Sequence, residues 1–185
     1  MQWAPVFERL IEPLRQRMVV ESGNKTSDAI GIKPFQFTPA VRAHLASDGV
    51  WFRNLVNGTT GRNLQGILDE MYATGGSVQD AAKEIRDEFT LRRKQAVMIA
   101  RTEAKKASQF GQLESFKQSG VVHRKRWNTS LDSSVRDAHM IEGQIVATDD
   151  VFVLADGITA RHPGDPSLPA RDLINCRCFM TPVLE

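Results

Sequence analysis

The residues best able to do chemistry are two cysteines near the end of the printed sequence, Cys176 and Cys178, in the segment "NCRC". They are the only cysteines in 185 residues, which is too few for the disulfide framework of a small secreted domain. In a strand, residues i and i+2 project to the same side, so both thiols are expected to face one target. A bond between them is disfavoured because an extended pair holds its Cα atoms too far apart. A metal ion, a catalytic thiol and simple packing remain open.

A second set of polar residues lies in "SLDSSVRDAH", where Asp132, Arg136 and His139 are spaced at i, i+4 and i+7. In a helix these three side chains share one face. The sequence therefore predicts a short helix with a polar, chemically able stripe. The alternative is an exposed face on which Asp132 and Arg136 form a surface ion pair worth at most about 0.5 kcal/mol.

Glu103 interrupts an otherwise apolar helical stripe. It lies four residues after Ile99 and four before Ala107, so its carboxylate is expected to face the interior or a cleft. A buried carboxylate is costly unless a cation or hydrogen-bond donors meet it. We expect a polar network in which Arg136 is the partner of Glu103 and Arg101 is a further member.

The sequence of residues 1–90 predicts helices joined by short polar loops. Residues 91–185 are predicted to form a second unit. Thr38 with Pro39 marks one helix start, Ser77 marks another, and "GRNLQGILDEMYATGG" lies between them, after a stop at Gly58 or Gly61. Residues 22–37, rich in Gly, Asn, Ser, Lys and Pro, are predicted to be a linker. The longest helix is predicted from Leu91 to Gly120.

After Gly120 the pattern changes to short strands. "VVHRKRWNT", "GQIV", "VFVLA" and "CRCFMTPV" have strand-like composition, and Pro182 restricts the last of them to a sheet edge or strand end. Residues 161–175 hold three prolines and a glycine and are predicted to be irregular. The sequence therefore predicts an α+β fold, with a small, mostly antiparallel sheet packed on the long helix.

Charge is distributed unevenly along the chain. The net formal charge of +2 divides into −1 for residues 1–90, +8 for 91–130 and −5 for 131–185. A basic middle segment suggests phosphate contacts or, alternatively, only a solvated helix face. The candidate nucleic-acid contacts are Arg92, Arg93, Lys94, Lys105, Lys106, Arg124, Lys125 and Arg126. Trp127 could stack on a base or pack in the core, and any DNA binding is expected to be non-specific.

Membrane insertion and secretion are not expected. The sequence has no apolar run near 18 residues and no signal-peptide pattern, which favours synthesis in a reducing cytosol.

Six short motifs occur in an order that resembles the Mu F-like domain of tailed-phage minor head proteins. They are "ARTE" at 100–103, Trp127, "DSSVRDAH" at 132–139, "GQIV" at 143–146, "HPGDP" at 162–166 and "NCRC" at 175–178. The resemblance covers about residues 91–183. Some family members carry a toxin or nuclease module after this domain, and none is expected within the printed sequence.

The resemblance implies a non-enzymatic minor head protein of a tailed phage or prophage. Such a protein is present in few copies in the head interior, acts in head morphogenesis near the portal, and contributes to DNA packaging and ejection. Its implied partners are the portal and capsid proteins and packaged double-stranded DNA.

Three hypotheses follow for the polar residues of this domain. In the first, Cys176, Cys178 and His139 bind one structural Zn²⁺, with Asp132 or His162 as fourth ligand. In the second, the domain is a small metal- or thiol-dependent hydrolase in which His139 activates a cysteine and Asp132 orients the imidazole. In the third, the polar residues form a structural hydrogen-bond network and the cysteines pack as small apolar groups.

Overall fold

The computed structural model describes residues 4–46 and 78–184. The helices in these ranges are α1 (Ala4–Ala29), α2 (39–46), α3 (Val78–Ser119) and α4 (Ala170–Leu173), together with a 3-10 turn at Asp137–His139. The strands are β1 (Arg124–Asn128), β2 (Ile145–Ala147), β3 (Phe152–Val153), β4 (Thr159–Ala160) and β5 (Phe179–Val183). The α+β fold predicted from the sequence is confirmed.

Helices α1 and α3 pack closely against each other. At Gly111 of α3, an added Cβ would lie 2.4 Å from the main-chain oxygen of Val19 in α1, so only glycine allows this approach. The hydroxyls of Ser27 and Ser115 lie 2.9 Å apart across the same contact. α1 and α3 therefore form one closely packed pair of helices.

α3 is longer than the sequence analysis predicted. We expected one helix from Ser77 and a second from Leu91, but a single 42-residue helix spans both segments. The reason is that residues 77–110 contain neither glycine nor proline, so nothing in this stretch breaks the backbone hydrogen-bond pattern.

The predicted linker at residues 22–37 is only half correct. α1 continues to Ala29, and the irregular connection covers residues 30–38. The predicted cap of the next helix is confirmed, because the Val41 N–H donates to Thr38 Oγ1 at 3.3 Å. The predicted stop at Gly58 or Gly61 and the helix "GRNLQGILDEMYATGG" lie outside the described residues.

The sheet is small and antiparallel. Its strand order is β2-β1-β5, and β3 and β4 form a separate antiparallel pair. β5 is an edge strand, as Pro182 requires. Met180 of β5 is fully buried with Leu113 and Phe116 of α3, and its N–H donates to Gln109 Oε1 at 3.0 Å. The predicted packing of the sheet on the long helix is therefore confirmed.

A second hydrophobic core includes Trp127 of β1 and both cysteines. Its members are Trp127, Phe152, Leu154, Ala160, Leu168, Leu173, Cys176 and Cys178. Because Trp127 is completely buried here, it cannot stack on a nucleic-acid base. Along the described parts of the chain, no helix combines the length and the apolar character that a membrane span requires.

The predicted helix at residues 132–139 does not form. Asp132 instead accepts the Ser134 N–H at 2.9 Å on its side chain and the Val135 N–H at 3.1 Å on its main-chain oxygen, which closes a turn. Short polar side chains compete in this way with helix hydrogen bonds, and an eight-residue segment gains little from helix propagation. Only the last three residues adopt the 3-10 conformation.

Candidate metal centre

His139, Cys176 and Cys178 converge in the second core. The Nδ1 atom of His139 lies 3.6 Å from the sulfur of Cys176 and 3.6 Å from the sulfur of Cys178. The three ligand atoms all lie within 4.8 Å of one another, and the three side chains are buried. The three residues converge, as the sequence predicted.

The two cysteines reach this position from an irregular segment and not from a strand. β5 begins at Phe179, one residue after Cys178, and Asn175 has a positive φ of 55°. The Asn175 N–H donates to Thr102 Oγ1 of α3 at 3.2 Å, which fixes the start of the segment. The predicted strand "CRCFMTPV" therefore begins at Phe179 and not at Cys176, although the two thiols still face the same side.

His139 ends the 3-10 turn, and its ring is held by packing. The ring lies edge-on to Trp127 at 5.7 Å between ring centres. Nδ1 faces the cysteines, whereas Nε2 is buried, lies 3.8 Å from an Asp172 carboxylate oxygen and makes no hydrogen bond with the described residues. The imidazole is thus oriented between two thiols and one carboxylate.

The pKa values of the two thiols are shifted in opposite directions. A hydrogen bond from Cys178 lowers the pKa of Cys176 to about 4, although burial opposes this effect, and His139 lowers it further. The same hydrogen bond raises the pKa of Cys178, and burial adds to the rise. The Trp127 indole N–H opposes this rise, because it favours the Cys178 thiolate.

The donor set fits a zinc ion. In a tetrahedral site with Zn–S near 2.3 Å and Zn–N near 2.0 Å, sulfur and nitrogen ligands are about 3.5 Å apart. The observed distance of 3.6 Å matches this spacing for both sulfur–nitrogen pairs. Two thiolates and an imidazole would hold the ion, and soft donors of this kind select zinc over calcium or magnesium.

Asp172 is a site residue that the sequence analysis missed. In zinc sites the second nitrogen of a ligating histidine usually faces a carboxylate, which fixes the tautomer and the ring orientation. Asp172 is 2% exposed and stands at this position. It belongs to the four-residue helix α4, inside a segment we predicted to be irregular, and its spacing from His139 carries no recognisable motif.

The predicted fourth ligands are placed elsewhere. Asp132 is exposed and accepts a hydrogen bond from Arg177 at 2.6 Å, so it neither binds with the cysteines nor pairs with Arg136. His162 is fully buried against Phe110, with its Nδ1 atom 3.1 Å from the Pro163 oxygen, and burial lowers its pKa to about 4. Of the residues that the structure describes, three provide ligand atoms at this centre.

The predicted polar network requires a correction. The carboxylate of Glu103 is buried as expected, but its partners are Arg15 of α1, whose Nε lies 2.8 Å away, and Lys106, whose Nζ lies 3.0 Å away. Arg136 instead donates to the main-chain oxygen of Ile174, and Arg101 is exposed. Arg15 is 88 residues away from Glu103 in sequence, and no local pattern identifies it as a partner.

The predicted nucleic-acid contacts fall into three groups. Lys106 and Lys125 are buried, and their ammonium groups bind Glu103 and the Thr148 and Arg161 carbonyl oxygens, so neither can reach a phosphate. Arg124 and Arg126 are exposed on β1, and Lys105 is half-buried on α3. Arg92, Arg93 and Lys94 belong to α3, and their side chains lie outside those described.

Known proteins resemble this chain over most of its length. It is 27% identical to the uncharacterized protein YqbB of Bacillus subtilis (strain 168) over 97% of the chain and 61% of that protein. It is 29% identical to NAD(+)--arginine ADP-ribosyltransferase EFV of Enterococcus faecalis (strain ATCC 700802 / V583) over 71% of the chain and 26% of that protein. An uncharacterized Haemophilus influenzae protein is 28% identical over 66% of the chain and 25% of its own length.

The chain therefore spans less than two thirds of the length of each of these relatives. No solved structure matches it. The family described as Phage Mu protein F like protein matches residues 62–181, which is well over half of the chain. The match begins before the resemblance noted in the sequence and contains the entire metal centre. The chain belongs to this family of phage head morphogenesis proteins.

Proposed function

We propose that this protein is a minor head protein of a tailed phage or prophage that acts near the portal in head morphogenesis and DNA delivery. Family membership supports a role in the phage head. The proposal adds that the protein is non-enzymatic, lies in the head interior, and contacts the portal, the capsid shell and packaged DNA.

Within this role, His139, Cys176 and Cys178 bind a structural Zn²⁺. The observation that carries this assignment is the pair of 3.6 Å distances from His139 Nδ1 to the two sulfurs. The ion would join the segment before β5 to the turn before β2, two parts of the domain about 40 residues apart. Metal binding adds stability where a small sheet buries little apolar surface of its own.

DNA contact in this proposal is electrostatic and non-specific. The exposed cations Arg124 and Arg126, half-buried Lys105, and the sequence-predicted Arg92, Arg93 and Lys94 would meet phosphates. Affinity for duplex DNA should therefore fall steeply and linearly with salt on logarithmic axes. Binding that persists unchanged at high salt would contradict this contact.

The head assignment is tested by locating the protein in particles. Heads purified from the phage-producing host should contain the chain at a few copies relative to the major capsid protein, as counted by quantitative peptide mass spectrometry. Heads that lack the chain, with all of it in the soluble fraction, would overturn the proposal even if zinc is bound.

A thiol-dependent hydrolase is the second candidate, and one observation favours it. Cys176, His139 and Asp172 are arranged as a nucleophile, a base and an orienting carboxylate, with Asp172 in the role we expected for Asp132. The ADP-ribosyltransferase activity named for the Enterococcus faecalis relative belongs to that protein, of which this chain spans 26%. We propose no such activity for this chain.

Alkylation separates the two candidates. A catalytic Cys176 thiolate would displace iodide from iodoacetamide rapidly at pH 6 to 7, with zinc present or absent. A zinc ligand should react slowly until chelator is added. Rapid alkylation of the zinc-loaded protein would favour the hydrolase.

A further inference from the structure

An open cleft with strongly basic walls lies beside the metal centre. It has a volume of about 560 Å³, and Cys176 is one of the residues that line it. Four cationic side chains line it. Arg101 and Lys105 belong to α3, Arg136 to the turn before β2, and Arg177 to residues 175–178, the cysteine segment. The volume lies in the range of small-molecule binding sites.

The cleft is built by contacts that fix its walls. Arg101 and Lys105 are one helical turn apart, which places both on the same side of α3. Arg136 donates to the Ile174 main-chain oxygen and so joins the turn to the cysteine segment, while Arg177 donates to Asp132 at 2.6 Å. The Asn175 N–H to Thr102 bond holds the same segment on α3. These cations therefore belong to one site and not to separate surfaces.

Positive charge in the cleft exceeds the negative charge that meets it. Arg177 is paired with Asp132, the one carboxylate that meets these four cations among the described residues. Within the described parts of the chain, neither the Arg101 guanidinium nor the Lys105 ammonium makes a hydrogen bond or an ion pair. An anion in the cleft would therefore meet cationic charges that no carboxylate of the described residues neutralises.

We propose that this cleft is a binding site for a phosphate group, held by Arg101, Lys105 and Arg136. Guanidinium groups bind the oxygens of a phosphate in pairs, and an ammonium group adds a point charge. Lys105 is also one of the DNA contacts proposed above, and to that extent the inference rests on the proposed function, but it depends on neither the zinc ion nor the place of the chain in the particle. The phosphate could belong to free phosphate or a nucleotide, or to the backbone of DNA.

The test uses the full chain, in metal-free and zinc-loaded form, with three probes at low salt. These are inorganic phosphate, a deoxynucleoside monophosphate and a fluorescent 20-base-pair duplex. The test variant is R101Q/K105Q, which changes cations without described partners and should leave the melting temperature unchanged. The matched control is R124Q/R126Q, which removes two exposed cations from β1. Calorimetry measures the small probes and fluorescence anisotropy measures the duplex.

Saturable 1:1 binding of phosphate or the nucleotide, weakened at least tenfold in R101Q/K105Q and less than twofold in the control, would assign the cleft to a free phosphate compound. Duplex binding alone would assign the cleft to the DNA backbone if R101Q/K105Q loses more affinity than the control. The slope of log K against log salt concentration should then be smaller by about two in R101Q/K105Q. Absence of binding to all three probes would overturn the proposal. So would equal weakening by the two double substitutions.

Discussion

Of two buried polar clusters, one includes residues of α3 and the other lies beside it, and they stabilise buried polar groups in different ways. In the first, Glu103 accepts hydrogen bonds from Arg15 and Lys106, so charges of opposite sign meet directly. In the second, His139 lies between two thiols, and its Nε2 atom makes no hydrogen bond with the described residues. The charge of a carboxylate between two cations is already balanced, whereas two thiols and an imidazole are stabilised most by a metal ion.

The difference separates a structural cluster from a candidate functional one. The Glu103 cluster joins α1 to α3 and leaves no soft donor for a ligand. The His139 cluster contains groups whose protonation changes with metal binding, and it adjoins an open cleft. We therefore expect substitutions in the first cluster to change folding and substitutions in the second to change metal affinity.

The largest expected effect is that of Glu103→Gln. The substitution leaves Arg15 and Lys106 buried without their carboxylate, and breaking a buried pair in this way costs about 3 to 5 kcal/mol. Urea denaturation measures the loss in unfolding free energy. The zinc affinity of the remaining folded protein should be unchanged.

Glu114→Gln is the matched control on the same helix. Glu114 pairs with the exposed Lys117 at 3.2 Å, a contact worth less than about 1 kcal/mol. Equal losses of stability in the two variants would mean that the Glu103 cluster is not a buried ion network.

Asp172→Asn tests the second cluster at the next magnitude. Loss of the carboxylate that faces His139 Nε2 should weaken zinc binding by about 10- to 100-fold, because the ring orientation and basicity of the ligand both depend on it. Competition with a chromophoric chelator measures this change. Asp132→Asn, at the residue we first expected to bind the metal, should leave the affinity within twofold, and the reverse ranking would restore the original ligand assignment.

The last expected effect is a gradual pH dependence and concerns Lys125, a buried cation whose ammonium donates to the carbonyl oxygens of Thr148 and Arg161. Burial lowers its pKa from 10.5 to about 8, and repulsion from Lys117 adds to the shift. Between pH 8 and 10.5 the unfolded chain binds the proton more tightly, so stability rises with pH, by at most about 1.4 kcal/mol per unit.

Comparison with Lys125→Met isolates this contribution from that of the cysteines. The difference in unfolding free energy between wild type and variant should change between pH 8 and 10 and stay constant from pH 6 to 7. Arg126→Met, the exposed neighbour, should follow the wild-type profile throughout. Parallel profiles for all three proteins would show that Lys125 is not penalised by burial.

Local patterns predicted much of the fold. β1, β2, the edge position of β5 and the Thr38 cap follow from alternation, proline and capping chemistry, which act over a few residues. Residues 132–139 were predicted as a helix because their 3–4 spacing is helical, but side-chain to main-chain hydrogen bonds of Asp132 prevailed. Periodicity alone does not include that competition.

The metal-ligating residues of the candidate site could be predicted from the chemistry of their side chains. Cys176, Cys178 and His139 were identified because thiol and imidazole groups are few and suit one metal. Arg15 and Asp172 were missed because their roles depend on tertiary contacts between distant segments, and a lone arginine or aspartate has no distinctive spacing. Lys106 and Lys125 were assigned to nucleic acid on charge alone, whereas burial decided their roles.

Zinc content, measured together with thermal stability, tests the central claim most directly. Elemental mass spectrometry of the purified protein should give one zinc per chain, and a strong chelator should lower the melting temperature. Cys178→Ser should lose the metal and become insensitive to chelator, while Glu114→Gln should behave as wild type. Protein that is free of zinc, takes up none on addition and melts at the same temperature with and without chelator would contradict the account.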